Sequence, residues 1–297
     1  MKSRFFKVKC VTNLHMGSGD INFSIIDNEV QRDPVTNFPA MYSSGVKGAL
    51  REHFENIHEK SNEKGKDVVK DIFGTDIKQS NESASNKDRS EPGNLKFLTA
   101  NLLLIPVCSS DKEKVYYLVT TKTMLLTVIR QINTITGSQK ELLEAAEKLD
   151  DNVAYGFDNL KEKTVGIDGI SVEVKGVIPS EIRDFLKVLL ENDFEDAANK
   201  IVIVPDKIYK KVDLPVLARN QLENGISQNL WYEEVVPHEA IFVFGVLSNG
   251  TGTGDTCLKD FAYTVKENPL IQFGGNATVG YGLTTVSKLQ LKEAVNE

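Results

Sequence analysis

The opening of the chain constrains the fold more than any other stretch. RFFKVKCVTN alternates, with Phe6, Val8 and Cys10 on one face and Lys7 and Lys9 on the other, which is the period-two pattern of a half-buried strand. HMGSG (15–19) ends it, because Gly17 and Gly19 permit positive φ and leave amides uncovered by side chains. After an Asp33-Pro34 turn the period changes. In SSGVKGALREHFENIHEK, Val46, Leu50, Phe54 and Ile57 recur at helical spacing, with Ser44 as a candidate first-turn cap.

The rest of the chain mixes both periods irregularly, without a fixed repeat. Residues 60–94 are poor in apolar side chains apart from VVKDIFG and read as a mobile surface insertion. LKFLTANLLLIPV, YYLVTT and IVIVP read as strands, and MLLTVIRQI and SEIRDFLKVLLEND as helices. SQKELLEAAEKLDD reads as a helix behind a Ser138-x-x-Glu141 capping box. The stretch from Asp206 to about Asn229 has no strong period and contains an Asn-Gly turn, which fits an excursion from the core. NLWYEEVVPHEAIFVFGVL returns to strand alternation, NGTGTGD reads as a hairpin or surface loop, and FGGNATVGYG is a glycine loop before a last strand. These elements predict an α+β fold with a ferredoxin-like core, its sheet covered on one side by helices.

At 297 residues and 40% hydrophobic content the chain can bury a full core, as one large domain with insertions or as two domains. It has no apolar run long enough to cross a membrane, and MKSRFFKVKC lacks a leader's apolar stretch, so a soluble, cytoplasmic protein is expected. Cys10, Cys108 and Cys257 are far apart, and the four histidines form no metal-ligand pair, which argues against a disulfide framework or a transition-metal site. A net charge of −7 excludes indiscriminate coating of nucleic acid but allows a local basic groove.

Several residues have two readings on pattern alone. Lys47 and Arg51 share a helix face and form either an anion site with the helix N-terminus or an ordinary solvated face. Glu233 and Glu234 alternate on a strand, so one carboxylate faces each side. Asp27, between Ile26 and Asn28, is either a turn acid at a strand edge or a reactive carboxylate. NGTGTGD lacks the phosphate-binding G-x-x-x-x-G-K-[ST] pattern.

Taken in order, HMGSG, IIDNEVQRDPVTNFP, SSGVKGALR, DIFG, NLLLIPV, NLWYEEVVP and GGNATVGYG resemble the motif series of the RAMP superfamily. The set is most similar to the repeated backbone subunit of the type III-B CRISPR effector, the Cmr complex. The resemblance implies a single RRM-like palm domain over residues 1–297, with a thumb hairpin inserted near 205–230. It implies copies of the chain stacked in a filament along a guide crRNA beside other Cmr subunits. Thumbs would interrupt the guide–target duplex, and complementary target RNA would be cut at regular intervals next to an aspartate.

Position by position, that aspartate is Asp27, and His15 is the motif histidine, which either donates to phosphate, orients the loop or bonds to backbone. Arg32, Lys47 and Arg51 would hold RNA, together with Gly17, Ser18 and Gly19 and the late glycines Gly274, Gly275, Gly280 and Gly282. Glu233 or Glu234 would assist. Asp27 would serve either as ligand to a loosely held Mg2+ or Mn2+ ion or as general base for attack by a ribose 2′-hydroxyl. The chain departs from the family pattern at Ser43-Ser44-Gly45, and it carries Asn276 and Ala277 where acids are usual, which removes charge from the late loop. Ser24 and Val30 replace a glycine and a proline around Asp27. The rival reading is a non-catalytic RNA scaffold of this or a type III-A complex. A self-contained guide-processing nuclease is weaker, since only His15 stands near a motif.

Overall fold

The computed structural model describes residues 2–19, 25–58, 63–75, 91–112, 114–161 and 163–291, with 63–66 as backbone only. β1 (Ser3–Cys10) is followed by β2 (Ala40–Met41), α1 (Ser43–His58), α2 (Glu63–Phe73), β3 (Leu95–Phe97) and β4 (Ala100–Cys108). Next come β5 (Tyr116–Thr121), α3 (Lys122–Thr136), α4 (Lys140–Glu147), β6 (Ala154–Gly156), β7 (Thr164–Ile167), β8 (Ile170–Val177), α5 (Ser180–Leu190), α6 (Phe194–Ala198), β9 (Ile201–Val204) and α7 (Asp206–Tyr209). The hairpin β10 (Val216–Glu223) and β11 (Ile226–Glu234) precedes β12 (Ile241–Ser248), α8 (Gly252–Glu267), β13 (Leu270–Gln272) and β14 (Leu283–Lys288).

Twelve strands form one mixed sheet in the order β13–β14–β1–β12–β4–β5–β9–β6–β8–β7, with β2 on β4 and β3 on β12. The run β14–β1–β12–β4 is antiparallel throughout, with α1 lying between β1 and β4 in the chain and α8 between β12 and β14. The alternation of β1 places Phe6, Val8 and Cys10 under these helices. There Phe54 of α1 stacks on Phe261 of α8 at 5.3 Å, and Phe6 meets Phe261 edge-on, also at 5.3 Å. Phe73 of α2 joins at 5.3 Å from Phe54 and stacks on Phe97 at 5.2 Å. VVKDIFG therefore belongs to the core; residues 60–62 and 76–90 of the expected insertion lie outside the described residues.

The expectation of a sheet covered on one side is corrected, because helices cover both faces. The runs NLLLIPV and IVIV are apolar at consecutive positions, and such strands must bury both sides. Phe5, Leu104, Leu118 and Ile201 pack beneath α3, α4 and α5, while Val107, Val119, Val174 and Val202 face inward. The sheet also returns on itself. Ser109, just past β4, bridges Ile167 of β7, and the Asp168 amide donates to the Cys108 carbonyl at 3.0 Å.

Asp111 lies in this closure. Burial alone would raise its carboxyl, but hydrogen bonds from the Tyr117 hydroxyl (2.5 Å), the Lys114 amide (3.0 Å), Ser109 and Gly166 prevail and lower it to about 2. A depressed carboxyl stabilises the fold above its unfolded value, and that contribution is lost as pH falls through the folded one. Asp111→Asn is therefore expected to be less stable than wild type at neutral pH, with the difference shrinking between about pH 4 and pH 2 in urea titrations.

Three local expectations change. Ser44 lies inside α1, which starts at Ser43 and whose first bond runs from the Val46 amide to the Tyr42 carbonyl. The Ser138-x-x-Glu141 box does not form. Gly137 closes α3 in the left-handed region, Ser138 shares a 2.8 Å bond with Thr136, and Gln139 precedes α4 without a side-chain cap. NGTGTGD is a helix start: the Thr251 hydroxyl caps α8 by accepting from the Gly254 amide at 3.0 Å. No described helix is long and apolar enough to cross a membrane.

Candidate active site at the root of the hairpin

The first glycine motif leaves β1 and runs between the end of β11 and the late glycine loop. Leu14 and Val236 exchange two 2.8 Å backbone bonds, the His15 carbonyl accepts from Gly275 at 2.9 Å, and the Asn13 carbonyl from Gly282 at 2.8 Å. Gly274 and Gly282 have φ of 72° and 73°, and a Cβ on either would strike a backbone carbonyl, that of His15 or of Phe273. These two glycines thus let the loop close on the motif. Gly275 and Gly280 face open space.

His15 is buried, with Nδ1 2.7 Å from the Glu234 carbonyl. A carbonyl can only accept, so Nδ1 carries the hydrogen and Nε2 faces Glu233, 3.8 Å away. The two glutamates are buried and point to different partners, as strand alternation predicts. Glu234 pairs with Arg32 and accepts from the Val30 amide at 3.0 Å. Glu233 accepts from the Asn276 amide group at 2.6 Å and lies 3.9 Å from Arg219.

The IIDNEVQ stretch folds back along the motif. Gln31 donates to the Met16 carbonyl (2.7 Å), Ser18 to the Glu29 carbonyl (3.0 Å), and the Gln31 side chain to Gly17 (3.1 Å). Gly19, at φ 77°, ends the described part of the motif. On the other side the stretch lies along β11: Asp27 and Asn28 amides both reach the Tyr232 carbonyl at 3.1 Å, and the Glu234 amide reaches the Asn28 carbonyl at 2.9 Å. The Asp27 carboxylate accepts the Tyr232 amide through Oδ2 at 2.8 Å, and the residue is exposed. One oxygen is fixed by the strand, and the other takes no protein hydrogen bond among the described residues. Asp27 is therefore both a turn anchor and a solvent-facing charge at the root of the hairpin.

The three cations expected to hold RNA differ. Arg32 is paired with Glu234, and Arg51 donates to Glu55 at 2.7 Å. Lys47 makes no ion pair among the described residues. It lies on α1 beside an exposed Ser43-Ser44-Gly45 turn, and Gly45 and Gly48 face open space, so this helix surface admits close approach by a ligand. No group of three metal-ligating side chains forms among the described residues. Arg219, Asn276 and Tyr281 join the site without having been expected. The Arg219 guanidinium lies over the Tyr281 ring at 5.2 Å.

The chain is similar over nearly its whole length to several known proteins. The CRISPR system Cmr endoribonuclease Cmr4 of Pyrococcus furiosus is 25% identical over 308 residues, covering 100% of this chain and 98% of its own length. The CRISPR system CMR subunit Cmr4 of Saccharolobus solfataricus is 26% identical over 314 residues, covering 94% of each. In fold, the chain matches one in the type III-B Cmr-beta complex bound to cognate target RNA, with a TM-score of 0.74 at 22% identity and 97% coverage of both. It also matches oligomeric Cmr4 from Pyrococcus furiosus, with a TM-score of 0.70 at 19% identity, over 99% of this chain and 100% of the other. The family pattern of the RAMP superfamily spans residues 7–285, almost the whole chain from β1 into β14, and the chain belongs to that superfamily.

Proposed function

We propose that this chain is a guide-RNA-binding backbone subunit of a type III-B CRISPR ribonucleoprotein and that it cleaves complementary target RNA at regular intervals. The observation that carries the reading is the exposed Asp27 carboxylate, fixed by a strand amide at the root of a projecting hairpin. The names of the curated relatives, one an endoribonuclease and one a CMR subunit, support it. The partners implied are guide crRNA, target RNA, further copies of the chain and other Cmr subunits, in the cytoplasm.

The palm is read as ferredoxin-like. The antiparallel order β14–β1–β12–β4, with α1 and α8 as the two crossing helices on one face, supports this reading. The hairpin, which extends to Glu234 rather than ending near 230, is read as the thumb. Val216, Leu222, Ile226, Leu230 and Tyr232 are exposed on it, a surface suited to lie against unstacked bases. Base pairing to the guide supplies sequence, so the protein needs phosphate-binding groups more than base readers.

At an unstacked nucleotide the 2′-oxygen can rotate into line with the leaving 5′-oxygen. It bonds to phosphorus as the P–O5′ bond breaks; the 2′-hydroxyl gives up its proton to a base and the departing 5′-oxygen takes one from solvent, leaving a 2′,3′-cyclic phosphate and a 5′-hydroxyl. Asp27 acts as general base for the 2′-hydroxyl or as the carboxylate ligand of a loosely held Mg2+ or Mn2+ ion, for which its hard, exposed oxygen is suitable. Such an ion, when bound, would neutralise charge developing on the phosphate. His15, Glu233 and Glu234 hold the surrounding loops in place through the contacts above. The scaffold reading draws on the same Asp27–Tyr232 bond, taken as a turn contact alone. End-labelled complementary RNA, incubated with the guide-loaded complex in Mg2+ and in chelator, decides between them. Regularly spaced cuts support cleavage, and tight binding without cuts supports the scaffold.

Lys47 is the best candidate for a guide phosphate. Lys47→Ala should weaken guide binding for all sequences alike and reduce the salt slope of log K by about 0.7–0.9, one phosphate contact. Binding titrations at several salt concentrations measure it; an unchanged slope would assign the phosphate elsewhere.

A further inference from the structure

The hairpin is tied to the body unequally on its two strands. β11 is bonded to the Asp27–Asn28 stretch along its backbone. β10 makes its side-chain tie through Arg219, which lies over Tyr281 of the late glycine loop and faces Glu233 across the strand pair. Arg219 pairs in register with Trp231, and Leu217 with Glu233, so all four share the hairpin face turned towards that loop. The loop in turn is fastened to the His15 backbone. Arg219 thus closes a ring: glycine motif, late loop, β10, β11 and back to Asp27.

We propose that Arg219 is a positioning residue, which sets the pitch of the hairpin by resting on Tyr281 and thereby holds the Tyr232 amide, and the Asp27 carboxylate bonded to it, at the scissile nucleotide. This rests on the reading of Asp27 as the reactive carboxylate. In-line attack tolerates little displacement, and a shift of about 1 Å can cost about a hundredfold in rate. A hairpin hinged only along β11 would still carry its exposed apolar side chains to the RNA but would present Asp27 over a range of angles. Loss of Arg219 therefore lowers the rate of cutting more than the affinity for target.

The test uses two readouts. In guide-loaded complexes, Arg219→Ala should lower the single-turnover cleavage rate constant about tenfold or more and leave the target Kd within about twofold. Tyr281→Leu, which removes the ring, should reproduce this, and Tyr281→Phe, which keeps the aromatic face, should cut at least about fivefold faster than Tyr281→Leu. In the RNA-free chain, the anisotropy decay of Trp231, the single tryptophan, reports local motion of the hairpin. Its fast component should grow in Arg219→Ala and Tyr281→Leu. Unchanged anisotropy in both variants overturns the proposal, as does a loosened hairpin that cuts at the wild-type rate. If Arg219→Ala fails to fold, the Tyr281 pair decides. Asp27→Asn runs alongside: if it cuts like wild type, the reading of Asp27 fails, while anisotropy still decides whether Arg219 holds the hairpin.

Discussion

Asp27→Asn is expected to reduce target cleavage by about 10²–10⁴-fold while guide and target binding persist, the loss typical when a positioned acid–base group is removed. The substitution is informative because of the bond Asp27 makes. An asparagine carbonyl oxygen can still accept the Tyr232 amide that Asp27 holds at 2.8 Å, so the turn is retained and only the charge is lost. Asp27→Ala removes both and cannot separate them. If cleavage vanishes in the asparagine variant with binding intact, the carboxylate is needed for chemistry. If the asparagine variant cuts normally and the alanine variant does not, Asp27 is a turn residue and the reaction is carried elsewhere. Gel-resolved cleavage with a parallel measurement of target affinity gives either answer.

What the sequence made legible was local. The alternation of RFFKVKC gave the core face of β1, and Val46, Leu50 and Phe54 gave the buried stripe of α1, because both patterns repeat within one element. The two-sided burial of β4 and β9 was present in their unbroken apolar runs but had no helix assigned to the second face. The setting of Asp27 could not be read from spacing, since the strand that anchors it lies 205 residues away. The resemblance to a family, not the pattern, singled it out. Arg219 was hidden for a sharper reason. Counting outward from the Asn224-Gly225 turn pairs it with Leu230, but an irregularity between Gln221 and Leu222 shifts the register, so Arg219 meets Trp231 and shares a face with Glu233. One extra residue in β11 moves every side chain beyond it, and nothing in the composition announces it.

The Arg32–Glu234 pair should carry a large part of the site's stability, and Arg32→Ala is expected to destabilise the chain by about 3 kcal/mol, the low end for a broken buried pair. The low end applies because the Arg32 side chain is 28% exposed against 6% for Glu234, so water already compensates the cation in part. The asymmetry fixes the order of the variants. Removing Arg32 strands a buried carboxylate whose remaining bond is the Val30 amide, whereas Glu234→Gln keeps an acceptor for that amide and leaves Arg32 able to turn to solvent. Arg32→Ala should therefore cost more than Glu234→Gln. The double variant Arg32→Leu/Glu234→Gln should recover most of the loss, since no unpaired charge stays buried. Urea unfolding of the RNA-free chain measures all three. If Arg32 serves instead to hold guide phosphate, Arg32→Ala would unfold at the wild-type urea midpoint and lose salt-dependent RNA affinity. The two outcomes separate on both axes: loss of a structural arginine lowers the midpoint and spares the salt slope, whereas loss of a phosphate ligand lowers the salt slope and spares the midpoint.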